Sequence, residues 1–259
     1  MRADVSKRWT EEMEIPPDLA VSARGALPIR QLVEAQMGVA FQPIVELGTR
    51  RLFAAEMLAR CRMEALSSPA VLFERAETEN ATGRLGRLVR DVGFAIAPPV
   101  PLFLNLHPHE LSERWIVRPD DPMNYHEHPL YLEITESAAL DYFDLCRSAL
   151  RELCSRTNAK LVVDDFGAGH SNLIRIAELE PAIVKLDRSL VMDVEQSPAK
   201  QKIIKHLVTL CEDLGAKVVA EGIETREELS VALDAGVHYG QGFLLARPGN
   251  PMPPHRWPL

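Results

Sequence analysis

Eight short runs rich in β-branched and aromatic residues recur along this chain, and helical patterns separate most of them. No other feature restricts the fold as much. The runs are GVAFQPIVEL (38–47), RLFAAEMLAR (51–60), PLFLNLH (101–107), LYLEITES (130–137), KLVVDDF (160–166), AIVKLDRS (182–189), KVVAEGI (217–223) and HYGQGFLLA (238–246). Apolar residues at three- and four-residue spacing predict helices over 69–80, 84–97, 142–157, 199–215 and 226–236, the last stopping at Gly236. Strands alternating with helices imply an α/β protein, and eight of them suit a TIM-like (β/α)8 barrel. Between the first two runs lies only Leu47 to Arg51, which is hairpin length and too short for a helical crossover. One strand near the start is therefore expected to run antiparallel to the rest.

The 259 residues fit one such barrel. The expected organisation is a flexible leader over 1–27, the barrel over 28–248 and a proline-rich tail over 249–259. A net charge of −8 argues against a general nucleic-acid surface, DNA included, but leaves room for one small anionic ligand held by local cations. The four cysteines, Cys61, Cys146, Cys154 and Cys211, form no CxxC pair, so reduced thiols in a cytoplasmic protein are expected. Met1 to Glu14 is mixed and charged, unlike a signal peptide. The most apolar segment, Phe94 to Leu106, is interrupted by Pro98, Pro99 and Pro101, so no membrane association is expected.

Several runs carry polar residues where a buried strand should be apolar. Glu56 sits in FAAEMLAR, Asn105 follows LFL, Glu133 follows LYL, Lys185 follows AIV, Glu221 follows KVVA, and Gln241 lies in YGQGF. Asp164 and Asp165 together follow LVV. Two adjacent carboxylates repel, and burying even one is costly. Barrel enzymes place their chemistry at strand C-termini, and carboxylates gathered there need a cation. Hard oxygen donors suit Mg2+ or Mn2+ better than zinc. Taken singly, Glu56 or Glu133 could be a structural ion pair, Asn105 a backbone cap, and the Gly167–Gly169 turn an ordinary loop. His107 and His109 fit packing roles, since no other imidazole or thiol motif joins them. Glu178, Glu180 and Glu227–Glu228 read as solvated helix faces.

In this order FQPIVEL (41–47), AEMLAR (55–60), LNLH (104–107), LEITE (132–136), DDFGAGHSNL (164–173), VKLDRSLV (184–191), AEGIET (220–225) and YGQGF (239–243) resemble the EAL domain, the family of cyclic di-GMP phosphodiesterases. The resemblance spans about Pro28 to Pro248. It implies a barrel with one antiparallel strand and hydrolysis of cyclic di-GMP to linear pGpG, supported by two Mg2+ or Mn2+ ions and inhibited by Ca2+. It also implies that Glu56, Asn105, Glu133 and Asp164 hold one ion, and that Asp164, Asp165 and Glu221 hold the second. By the same resemblance Lys185 orients the nucleophile, and Glu224 and Gln241 complete the site. Gln42 and Arg60 contact the dinucleotide. Glu136 anchors the DDFGAGHSNL loop, which in the family couples the second ion to a homodimer interface.

The signature departs from the family at Met57, where Ala is usual, and at His170 and Asn172 in the loop. Met57 would crowd the site if it pointed inward. Two other readings stand beside catalysis: a receptor that binds cyclic di-GMP without cutting it, and a scaffold for an unidentified protein partner. A two-carboxylate glycosidase is disfavoured by Asn105, the Asp pair and Lys185.

Overall fold

The computed structural model describes residues 27–112, 118–136, 139, 143–167 and 173–258. Nearly all of the expected leader, and the loop positions His170 and Asn172, lie outside the described residues. Eight strands close into a barrel in chain order: β1 (Met37–Glu46), β2 (Arg51–Cys61), β3 (Leu102–Asn105), β4 (Leu130–Thr135), β5 (Lys160–Phe166), β6 (Ile183–Leu186), β7 (Lys217–Ala220) and β8 (Tyr239–Gly240). β1 pairs antiparallel with both β2 and β8, and every other neighbouring pair is parallel. The short turn after β1, with Arg50 at φ 61°, thus makes the expected hairpin.

The helices form the outer layer: α1 (Pro69–Thr78), α2 (Thr82–Phe94), α3 (Phe143–Thr157), α4 (Leu173–Leu179), α5 (Arg188–Val191), α6 (Pro198–Asp213) and α7 (Arg226–Asp234). Local chemistry sets several of their ends. Pro198 occupies the first turn of α6, where its missing N–H costs nothing, and the Ser197 hydroxyl accepts from Lys200 N. Gly236, at φ 83°, follows the last turn of α7 in the left-handed conformation a C-terminal stop needs.

Strand period two divides the sheet into two faces. Outward residues of β3, β4 and β5, such as Leu104, Leu132 and Leu161, pack against Leu150 and Leu153 of α3. Val184, Val218 and Ala220 pack against Ile204, Val208 and Cys211 of α6. The inward residues Ile44, Ala54, Phe103, Tyr131, Val162, Ile183 and Val219 form one apolar plug. Phe103 stacks on Tyr131 with ring centroids 4.5 Å apart, and Phe53 stacks on Tyr239 at 4.0 Å. The barrel is filled at this level.

Five strands, β3, β4, β6, β7 and β8, are shorter than the β-rich runs, chiefly at their C-terminal ends. Residues 241–246 leave the ladder after β8, and residues 188–189 begin α5. A second difference concerns Glu228. Expected on a solvated face, it is buried. Its carboxylate accepts from the backbone N–H groups of Glu224, Thr225 and Asp193, and the Thr225 hydroxyl accepts in return from Glu228 N. It is half of a reciprocal capping box.

Candidate active site

Asp165 apart, each polar residue singled out in the strands stands two positions from a residue packed in the apolar plug. Glu56 follows Ala54, Asn105 follows Phe103, Glu133 follows Tyr131, and Asp164 follows Val162. Lys185 follows Ile183, Glu221 follows Val219, and Gln241 follows Tyr239. On β1, which runs the other way, Gln42 precedes Ile44 by two. The same pleat that fills the barrel floor therefore lifts a polar ring one layer above it, at the C-terminal ends of the parallel strands.

Lys185 stands at the centre of this ring and is 1% exposed. Its Nζ lies 2.6 Å from Glu221 Oε1, 2.7 Å from Glu133 Oε1, 3.1 Å from Asp164 Oδ1 and 3.6 Å from Glu56 Oε2. Burial opposes the ammonium charge, but Asp164, Glu133, Glu221 and Glu56 outweigh it and hold the lysine pKa well above its ordinary value. The carboxyls divide. Burial pushes Glu133 well up, helped by Glu56 and Asp164. Glu221 is also driven well up, by burial and then by Asp164, and Asp164 is raised by burial against the pull of Lys185. Burial acts on Glu56 in the same sense, but Lys185 and hydrogen bonds from Gln241 and Asn105 overcome it and leave Glu56 lowered.

Three side-chain amides complete the ring. Asn105 Nδ2 donates to Glu56 Oε1 over 2.9 Å. Gln241 Nε2 donates to Glu56 Oε2 over 2.6 Å and to Gln42 Oε1 over 3.1 Å, and Gln42 Nε2 donates to the Ala246 carbonyl. The Ala246 carbonyl fixes the orientation of Gln42, which fixes that of Gln241.

Strict alternation would point Asp165 away from Asp164. The β5–β6 register breaks between Val163 and Phe166, and Asp165 adopts φ 56°. A left-handed non-glycine residue is uncommon outside Asn and Asp. Here it turns the second carboxylate back: one oxygen each from Asp164, Asp165 and Glu221 falls within a mutual 4.8 Å. Among the described residues this is the carboxylate group with the spacing to share a metal ion. Glu133 Oε2 is buried without a hydrogen-bond partner. A hard divalent cation fits both features, because oxygen donors this close repel until a cation lies between them.

The remaining expected residues fall around the ring. Arg60 borders a cleft of about 350 Å³ that Glu56, Asn105, Phe73, Val89 and Leu104 also line. Glu136 Oε2 accepts from Gly167 N at the start of the loop after β5. Glu224 is not drawn into the Lys185 cluster; its carboxylate pairs with Arg188 at 2.9 Å, partly exposed. His107 Nε2 meets Glu77 over 2.6 Å and its Nδ1 accepts from His109 N, a packing role. Met57 points outward, its sulfur against Gly93 of α2. Sequence reasoning missed the Ala246 carbonyl, for which no side-chain signal exists. It also missed Glu228 behind Glu224, although the T-x-x-E spacing of Thr225 and Glu228 carried that signal.

Known proteins resemble this chain in sequence and in fold. The family model described as the EAL domain matches residues 28–248. RocR of Pseudomonas aeruginosa, named a cyclic di-GMP phosphodiesterase, is 30% identical over 235 residues, covering 85% of this chain and 59% of RocR. The chain thus spans little more than half the length of that relative. BlrP1 of Klebsiella pneumoniae, solved in complex with manganese and cyclic di-GMP, is 33% identical, with a TM-score of 0.72 over 83% of this chain and 56% of that one. The PaMucR phosphodiesterase in complex with cyclic di-GMP is 26% identical, with a TM-score of 0.73 over 83% of this chain and 97% of that one. Matched over most of its length in sequence and fold, the chain belongs to the EAL domain family.

Proposed function

We propose that this chain hydrolyses one phosphodiester bond of cyclic di-GMP to give linear pGpG, with two divalent ions, Mg2+ or Mn2+. The observation that carries the reading is the buried ring in which Lys185 meets Glu56, Glu133, Asp164 and Glu221 while the Asp165 bulge brings in a further carboxylate. The catalytic name of RocR and the ligands in BlrP1 support it. Glu56, Asn105, Glu133 and Asp164 would hold one ion, and Asp164, Asp165 and Glu221 the other. Bound ions would supply Lewis acidity at the phosphoryl group and lower the pKa of a water.

The chain's own groups do the rest. Lys185 donates to the phosphoryl oxygen on which negative charge grows as water attacks in line with the leaving oxygen. Gln42 and Arg60 hold the dinucleotide, Arg60 through its planar guanidinium on a phosphate. Gln241 fixes Glu56 and Gln42 together, Glu224 closes the rim on the Arg188 side, and Glu136 holds the loop after β5. The reading includes a homodimer and a cytoplasmic location. The free thiols of Cys61, Cys154 and Cys211 support that location, and no helix among the described residues is long and apolar enough to cross a membrane.

The test is incubation of the purified chain with cyclic di-GMP and Mn2+ or Mg2+, with products separated by chromatography. Conversion to pGpG is expected, abolished by EDTA and lowered about a hundredfold or more by Glu221→Ala. Turnover that survives either treatment sinks the metal assignment. Saturable binding without turnover makes the chain a receptor.

A further inference from the structure

We infer that Lys185 competes with the divalent ions for the ring's oxygens, so that it gathers the carboxylates and at the same time sets a ceiling on metal affinity. The inference rests on the reading of the ring as a metal site. Lys185 Nζ contacts an oxygen of each of Glu56, Glu133, Asp164 and Glu221, all within 3.6 Å. These four belong to the set that would hold the ions. An ammonium has three protons, so four carboxylates contest it. The lysine cannot leave easily: it lies in mid-strand between buried Val184 and Leu186 and is itself 1% exposed.

A divalent ion takes the same lone pairs at shorter range, so it must displace the ammonium from some of them and then coexist with its charge. Glu56, Glu133, Asp164, Asp165 and Glu221 oppose one lysine. Ionised, they leave an excess of four negative charges, which two divalent ions balance. Without the lysine the excess is five, and the ring attracts cations more strongly.

A purely structural role for Lys185 predicts the opposite, since losing it would scatter the carboxylates and weaken binding. The two cases separate by calorimetric titration of EDTA-stripped protein with Mn2+, without substrate. Lys185→Met and Lys185→Gln are expected to bind Mn2+ about tenfold or more tightly than wild type, and Lys185→Arg, which keeps the charge, within about threefold of it. Equal or weaker binding by the neutral variants overturns the inference while leaving the metal site standing. A wild-type chain that binds no Mn2+ overturns the metal site itself. If a neutral variant unfolds when stripped, melting curves decide: refolding on Mn2+ with a larger gain in Tm than wild type supports the inference. A neutral variant that stays unfolded with Mn2+ present overturns it.

Discussion

Met57 shows how one residue can look alarming in a sequence and harmless in a fold. It replaces the alanine usual at that place in the resemblance, next to Glu56. The pleat that sends Glu56 inward sends Met57 outward, and Gly93 on α2 leaves it room: a Cβ on Gly93 would lie 2.3 Å from the Met57 sulfur. Gly93→Ala should therefore destabilise the fold by about 1–3 kcal/mol through overpacking, and adding Met57→Ala should recover much of that loss. Urea unfolding of the two single variants and the double variant measures the coupling; strictly additive effects would refute the contact. The ring itself was legible in the sequence because a lone polar residue inside an apolar run has few other reasons to be there. Glu228 was overlooked, because a glutamate in the first turn of a helix is ordinary on any solvated face, and only the T-x-x-E spacing with Thr225 pointed to its buried backbone partners. The direction of Met57 follows from that of Glu56, since neighbouring residues of a strand face opposite ways.

At the scale of elements, the hairpin and the number of strands followed from run spacing, while strand ends did not. A β-rich pattern continues past the last ladder bond, so HYGQGFLLA promised a long strand where β8 has two residues. Helix α4, seven residues long, is too short for its periodicity to stand out. The brevity of β8 gives the segment after it structural work. β1 pairs with β8 only at Val45 and Glu46, and higher on the strand Phe41 exchanges both backbone hydrogen bonds with Gly249, at 2.9 and 3.1 Å. The strap continues with Arg256 N donating to the Leu245 carbonyl and Trp257 lying under Arg50. Ending the chain after Arg247 removes these bonds, a loss of about 2–3 kcal/mol at the usual net value of each, or about 4–12 °C in Tm. Gln42, the neighbour of Phe41, should also loosen, so KM for cyclic di-GMP should rise more than kcat falls. Thermal melts and steady-state kinetics of the shortened chain check both parts; an unchanged Tm would make the strap a passive tail.

For the whole molecule, the ring makes stability depend on pH and metal together. Glu133 and Glu221 hold protons in the folded chain at pH values where the unfolded chain, near 4.5, has released them. The folded state then binds more protons, so with EDTA present stability falls as pH rises from about 4.5 through the raised values. Glu56, whose pKa is lowered, loses its contribution only as pH drops below that window, and the raised Lys185 keeps its own contribution throughout. Divalent ions need those carboxylates ionised and release their protons. The gain in Tm from Mn2+ should therefore be larger at pH 8 than at pH 5.5, and equal gains would count against the raised carboxyls. A different consequence follows from the reversed first strand. Met37 pairs with Cys61 at the open end of the barrel, so the chain upstream joins on the side that carries the ring of Glu56 and Lys185, whereas an all-parallel barrel would admit it from below. From Met37 to Gln42 is one unbroken strand of about 17 Å. A pull or twist applied before Leu27 thus passes through two short 3-10 turns, Ile29–Gln31 and Glu34–Gln36, and then along one strand to Gln42: input port and output face are the same end of the machine.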